Sequence, residues 1–455
     1  MGDDCLSVLF KDCPNLGGRD FMKWLSRAVS IIAIFLLAFS SVSAQSASLN
    51  FKEPLTLKEC VQITLENSSR IAVAKRSLTQ AQLEVKDARA GYLPRLDLSA
   101  DYQVDDTHNK IEWTEDHYEA KASLTETFYD NGKTQARTKQ AKARLEADRV
   151  DFQKIRDELI FEVTGSYYAL LKAEKMLRVK DEGLKQAQAH LDLAKARHRI
   201  GTAPKSDILK AEVGVGSSEL DLIEAENTLS LARMTLSNVM EIDLNTPLLV
   251  SGAEEIEPIE MALDECLDLA LRDRPEIREA EISLRIDEID LKLARKEVWP
   301  SIEVAGSYNI DADQLINEYD WEESTGWEIG IKTSFPIFDA GQTRRGVTKA
   351  RINLENTRTE ADQLAKNITL EVKKAYLTLK SQQKVIETTE KQVAQAKESF
   401  DAAQGRYKSG VAPMIEVIDA QASLNNARTN YVKAIYDYQM AIFTLNKAMG
   451  GITMQ

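Results

Sequence analysis

Residues 93–104 read LPRLDLSADYQV and residues 299–310 read WPSIEVAGSYNI. In each, a proline pushes the residue before it out of the α region, and strict alternation follows. The first stretch sets Leu96, Leu98, Ala100, Tyr102 and Val104 against Arg95, Asp97, Ser99, Asp101 and Gln103. The second sets Ile302, Val304, Gly306, Tyr308 and Ile310 against Ser301, Glu303, Ser307 and Asn309. Returning stretches repeat the pattern in Ala120, Ala122, Leu124 and Phe128, then in Trp327, Ile329, Ile331 and Phe335. Period two over about ten residues with one polar face is the pattern of a membrane barrel strand. A soluble two-sided sheet gives the same alternation. Trp113, Tyr118, Tyr129, Tyr319, Trp321 and Phe338 crowd the strand ends, where an interfacial aromatic belt would sit.

The segments after the strands decide between these readings. No proline occurs between Pro94 and Pro204, nor between Pro336 and Pro413. Residues 132–199 and 341–409 are rich in Ala, Lys, Glu, Gln, Arg and Leu, all good helix formers. At 1.5 Å per residue each predicts a rod of roughly 100 Å. After a tight turn come shorter helices, predicted over 206–240 and 415–448. The second carries Val417, Ala420, Leu424, Ala427, Tyr431, Ala434, Tyr438, Ala441, Leu445 and Ala448, steps of three and four that make a heptad seam. The first carries Ile208, Ala211, Val215, Ser218, Leu222, Ala225, Leu229, Ala232, Leu236 and Val239. Large and small residues alternate along both, so neighbouring helices can approach closely.

The chain reads as one unit written twice. LTLKEC at 55–60 recurs as MALDEC at 261–266, and Leu93-Pro94 as Trp299-Pro300, an offset of 206. From Tyr129-Asp130-Asn131-Gly132 against Phe338-Asp339-Ala340-Gly341 onward the offset is 209. It stays so for Phe161-Glu162-Val163 against Leu370-Glu371-Val372. The three extra residues therefore fall between 309 and 329, as expected of an exposed hairpin tip. Each copy predicts a short helix (55–67, 261–272), a moderate one (68–90, 275–297), a hairpin (about 93–128 and 298–337) and the helix pair (132–240 and 341–448). The first copy occupies 45–250 and the second 251–455.

Residues 1–44 read as an address. Lys23 and Arg27 precede an apolar stretch at 28–39 and a small-residue cleavage site, Val42-Ser43-Ala44, the pattern of a secretory signal peptide. Residues 1–21, with Cys5 and Cys13, precede a better start at Met22. A formal net charge of −14 argues against a nucleic-acid partner. A mean hydropathy of −0.33 rules out a polytopic helical membrane protein. Four strands cannot close a barrel, and lipid leaves no backbone polar group unpaired, so chains must pool strands. Three copies give twelve strands and a lumen. The polar sets Asp97, Ser99, Asp101, Glu303, Ser307 and Lys332 suit a wet one. The fold expected is mostly α with a membrane β-barrel portion, a tube reaching from a membrane across an aqueous compartment. The alternative is a periplasmic coiled-coil protein, structural or adhesive, without a pore.

Over residues 50–450 the sequence resembles the TolC family of outer-membrane efflux proteins. The carriers are the duplicated unit and the two helix turns, Arg199-Ile200-Gly201-Thr202-Ala203-Pro204-Lys205-Ser206-Asp207 and Tyr407-Lys408-Ser409-Gly410-Val411-Ala412-Pro413. The second continues Met414-Ile415-Glu416-Val417-Ile418-Asp419-Ala420-Gln421, close to the family's hydrophobic-Asp-hydrophobic-hydrophobic-Asp-Ala signature. The resemblance implies a homotrimer, a 12-stranded barrel in outer-membrane lipid on a periplasmic helical tunnel. It implies passive export of drugs, toxic compounds or secreted proteins, as in multidrug efflux or type I secretion. A periplasmic adaptor (membrane fusion) protein and an inner-membrane pump of RND or ABC type would supply docking and energy. The adaptor would dock on Gly201, Thr202, Ala203, Pro204, Ser409, Gly410, Val411, Ala412 and Pro413; a plain αα-turn is the bland reading.

Gly201 and Gly410 suit the positive φ that ends a helix, and Pro204 and Pro413 fit the first turn of the next one. Glu416 and Asp419, three apart, share a helix face. By resemblance they form acidic rings at a periplasmic entrance gate with Asp207 and Tyr407; compensation of the helix dipole would also place acids there. Where some family members close the tip with an Arg in the second turn, this chain has Ala412. A different cation, Lys408 or Lys205, is expected to hold the tip, or the tip rests looser. Nothing points to catalysis or a cofactor. His108, His117, His190 and His198 are scattered, phosphate-loop and hydrolase motifs are absent, and Gly214-Val215-Gly216 sits in a heptad helix. Cys60 and Cys266 read as small buried residues.

Overall fold

The computed structural model describes residues 54–105, 115–252, 261–312 and 325–451, with the side chains of all but 103–105, 115–118, 311 and 312. The expected signal segment 22–44, Cys5, Cys13, His108, Trp113, Tyr319 and Trp321, the side chains of His117 and Tyr118, and most of the expected insertion at 309–329 lie outside the described residues.

In chain order the elements are α1 (Leu57–Asn67), α2 (Ser69–Ala90), β1 (Arg95–Asp105), β2 (Glu115–Tyr129), α3 (Lys133–Arg199) and α4 (Lys205–Val239). Then follow α5 (Leu263–Asp273), α6 (Pro275–Lys296), β3 (Ser301–Ala312), β4 (Thr325–Ser334), α7 (Gln342–Lys408) and α8 (Met414–Ala448). The two halves share one order, and their helices share the lengths 11, 22, 67 and 35 residues.

The strands form one antiparallel sheet in the order β1-β2-β3-β4. Register carries the alternation across it. Leu96, Leu124, Gly306 and Ile329 stand in one row, and Leu98, Ala122, Tyr308 and Trp327 in the next apolar one. Between them runs a fully polar row on the other face, Asp97, Ser123, Ser307 and Glu328. Leu98 is 82% and Trp327 75% exposed in the single chain, so the apolar face meets no protein of its own. Among the described residues β1 and β4 each pair on one side only.

The step from strand to rod is built by an aspartate. Asp130 accepts from the N–H groups of Gly132 at 2.8 Å and Lys133 at 3.1 Å; Asp339 accepts from Gly341 at 2.9 Å and Thr343 at 2.7 Å. These carboxylates satisfy donors a first helical turn leaves orphaned. The turn needs two successive left-handed residues, Asn131 (φ 55°) with Gly132 (φ 72°), and Ala340 (φ 50°) with Gly341 (φ 79°). Burial raises the Asp130 pKa, but the hydrogen bonds from Thr134, Gly132 and Lys133 outweigh it and hold the group below its ordinary value. A depressed carboxylate contributes stability above its unfolded pKa and loses it as pH falls through the folded one. Asp130→Ala should therefore cost about 1 kcal/mol at pH 7, with the gap from the parent closing in thermal melts as pH falls below the ordinary carboxylate range.

The long helices pack as α3 with α4 and α7 with α8, and the two pairs meet where α3 lies along α8. Every member of the α8 heptad seam is buried or half-buried, as is every member of the α4 seam. At the α3–α8 contact Gly183 is buried, its carbonyl accepts from Gln421 Nε2 at 3.0 Å, and a Cβ there would lie 2.9 Å from Asn425 Nδ2. The short helices seal the upper ends of the pairs. Cys60 and Val61 of α1 pack on Val163, Tyr167 and Leu236, while Cys266 and Ala270 of α5 pack on Val372, Ile442 and Leu445. Both thiols are free and fully buried, in separate cores; burial, then the Glu59 charge, pushes the Cys60 thiol up to about 12.

Candidate docking turns and entrance gate

The far ends of the two helix pairs are built alike. Helix α3 closes with Gly201 N–H on His198 C=O (2.9 Å) and Thr202 N–H on Arg197 C=O (2.9 Å). Helix α7 closes with Gly410 N–H on Tyr407 C=O (3.0 Å) and Val411 N–H on Arg406 C=O (3.0 Å). Both glycines take the left-handed backbone, φ 76° and 79°, which satisfies the last carbonyls at no Cβ cost. His198 Nδ1 bonds Ala203 O at 2.8 Å and so ties the first turn to its helix. Thr202, Pro204, Ser409, Val411 and Pro413 are exposed, and Ala203 and Ala412 half-exposed.

Pro204 and Pro413 do not lie in the first turn of α4 and α8 but one residue earlier, as caps with extended backbone (ψ 158° and 157°). The fixed proline φ suits either place; the helices begin at Lys205 and Met414 because the chain must first leave the turn extended.

Behind the turns lies a small core of Ala194, Ala211, Phe400, Ala403, Met414, Val417 and Leu424. Tyr407 (2% exposed) and Asp207 (7%) are buried with it. Burial raises the Tyr407 pKa, the Asp207 charge adds to this, and Arg197 opposes it. The two side chains are thus electrostatic neighbours, yet the buried Tyr407 hydroxyl makes no hydrogen bond. His190, 4% exposed, packs edge-on against Phe400 at 5.6 Å, and burial followed by the Lys408 charge lowers its pKa. It is a neutral packing group.

Within one chain the cation that joins the two helix pairs at the tip is Arg197, not the expected Lys408 or Lys205. Among the described residues Lys408 donates to Gln404, at 3.2 Å, and makes no ion pair. Arg197 of α3 instead lies over the Tyr407 ring, 4.7 Å from its centre, and donates to the Tyr407 carbonyl at the end of α7. Its Nη2 also stands 3.2 Å from where a Gly410 Cβ would be. A guanidinium stacks on an aromatic face while its planar fork serves a carbonyl. Arg197 therefore joins the two helix pairs of one chain, which sequence spacing did not reveal because its partner is 210 residues away. Glu416 is held by Arg406 at 2.9 Å. Asp419, one turn on, is exposed and makes no ion pair among the described residues.

A family model described as "Outer membrane efflux protein" matches residues 60–240 and 266–451. The chain is 24% identical to nodulation protein T of Rhizobium leguminosarum bv. trifolii, covering 88% of this chain and 86% of that one. It is 21% identical to outer membrane protein TolC of Escherichia coli K12, over 82% and 77% of the two. Its fold is similar to that of the Campylobacter jejuni CmeC outer membrane channel, with TM-score 0.75, 19% identity and 90% of each chain covered.

Proposed function

The chain belongs to the outer membrane efflux protein family, and from that premise we propose how its geometry makes an export duct. It is an outer-membrane export channel, not an enzyme. Three copies close one 12-stranded barrel in the outer membrane, standing on a periplasmic tunnel of helix pairs. The observation that carries this is the open sheet, with one apolar and one polar face and two edges left unpaired among the described residues. Such a sheet cannot lie in lipid alone, because edge N–H and C=O groups find no partner there. Helix α4 supports the same reading. Opposite its seam it bares Leu209, Val213, Leu220, Ile223, Leu231 and Met234, between 47% and 71% exposed. A helix apolar on two opposite faces is a wall element, and the second face fits a neighbouring copy. The matched element orders support descent from a duplicated unit. Trimer bands that collapse on heating, from outer-membrane fractions, together with conductance in planar bilayers, test the assembly; a detergent-free soluble monomer would sink it.

The duct is passive. An adaptor docks on the two turns, and a pump in the inner membrane drives drugs, toxic compounds or secreted proteins through it. Gly201→Trp with Gly410→Trp should abolish export-dependent resistance while trimers remain in the membrane; unchanged resistance defeats the docking assignment. At the entrance Glu416 and Asp419 form acidic rings that favour cations. Because Arg406 already neutralises Glu416, Asp419→Ala should lower the cation-to-anion permeability ratio more than Glu416→Ala does. Equal ratios in both variants and the parent would remove the ring.

A further inference from the structure

We propose that the first turn, after α3, is the seat of an acidic segment of a partner protein, and that the second turn plays the lesser part. This rests on the docking reading above and adds the chemistry of the partner. Lys195, Arg199, Lys205 and Lys210 are all exposed, and none makes an ion pair among the described residues. The one acid between Lys195 and Lys210 is Asp207, which is buried. Four open cations thus gather at one end of a chain whose net charge is −14.

The second turn is different in kind. At the repeat offset, Gln404, Met414 and Asp419 stand where the first turn has Lys195, Lys205 and Lys210. Arg406 is spent on Glu416, which leaves Lys408 and its contact with Gln404. The glycines differ too. A Cβ at Gly201 would meet nothing within 4 Å, whereas at Gly410 it would meet Arg197. Approach to the backbone is open at the first turn and already occupied at the second. Ile200, 73% exposed, offers an apolar knob between the cations, and the His198–Ala203 contact holds that surface in shape.

A single exposed ion pair is worth little. Lys195 and Arg199 lie one helical turn apart on α3, within the ~8 Å screening length at physiological salt, and cations grouped on one surface act jointly on partner choice and encounter rate. The fitting partner is a protein loop or helix end with two or more Asp or Glu around a notch for Ile200.

The test uses the full-length protein in a deletion strain, challenged with whichever of deoxycholate, erythromycin or ethidium the deletion most sensitises it to. Arg199→Glu with Lys205→Glu should lower the inhibitory concentration about tenfold, as a loss of ~1.4 kcal/mol in docking would, and Lys408→Glu should lower it less. Spontaneous suppressors of the double variant should change Asp or Glu to Lys or Arg in a second exported protein. If the double variant resists like the parent while Gly201→Trp does not, the charge assignment falls and docking stands. If both resist like the parent, docking itself falls. Suppressors confined to genes of anionic lipid synthesis would mean that the cations meet a membrane surface, and would overturn the proposal.

Discussion

Arg197→Ala should raise the resting conductance of the assembled channel in planar bilayers by one to two orders of magnitude. The side chain supplies the polar contact between the helix pairs at the tip, stacked on Tyr407 and donating to its carbonyl. A partly desolvated cation–π contact contributes about 1 kcal/mol, and a charge-assisted hydrogen bond about 1.5–3 kcal/mol. A favourable position at the end of the α7 dipole adds ~0.5 kcal/mol. These terms overlap, so a loss of ~2–3 kcal/mol per subunit is the working figure, enough to move a two-state tip by about 30- to 160-fold. Arg197→Lys keeps the charge near the dipole but loses the planar fork and stack, and should fall between the two. Arg406→Ala is the contrast. It breaks a pair of similar geometry, Arg406 to Glu416 at 2.9 Å, but one that joins α7 to α8 inside a single helix pair. Its resting conductance should stay near the parent's. Wild-type conductance in Arg197→Ala would show that the cross-pair contact does not restrain the tip.

That contact marks where the sequence stops being legible. The rods could be read because nothing interrupts them: no proline falls between Pro94 and Pro204, and α3 runs from Lys133 to Arg199. The seams could be read because burial repeats with the turn of the helix; Val417, Leu424, Ala427, Ala434, Ala441 and Leu445 are all buried. Strand faces could be read because side chains alternate, and register preserves the alternation across four strands. Each of these is local periodicity. Arg197 against Tyr407 has no such signature, since either residue alone is an ordinary helix-surface arginine or core tyrosine. The Asp130 cap was readable in principle from Asp-Asn-Gly, but Asp-Ala-Gly at 339–341 puts a non-glycine at φ 50° in the same turn, which propensity argues against. The bare face of α4 consists of plain Leu, Ile, Val and Met at helical spacing. Periodicity does not single it out, because the seam on the opposite side is enough to explain the helix.

Ile329→Arg should prevent trimers from reaching the outer membrane, while Glu328→Arg, the adjacent residue on β4, should leave them there. Ile329 is 71% exposed in the single chain and shares a row with Leu96, Leu124 and Gly306. Glu328 shares its row with Asp97, Ser123 and Ser307 on the opposite face. If the apolar rows face lipid, an arginine near the bilayer midplane costs about 2–4 kcal/mol. Three symmetric copies would bring that to roughly 6–12 kcal/mol per barrel, comparable to the whole stability of an ordinary domain. On the polar face the same side chain stands in water, beside the Asp97 row, and meets no such penalty. The pair separates a barrel from a soluble sheet, because in water both substitutions fall on exposed positions and both should be tolerated. It also fixes the inward face: if Glu328→Arg were the variant that failed, the assignment of lumen and lipid sides would be reversed. The readout is the heat-modifiable trimer band in outer-membrane fractions, with total protein followed in parallel to distinguish failed insertion from failed synthesis. Equal trimer bands for both variants would mean that β4 does not cross lipid, and the duct would lose its wall.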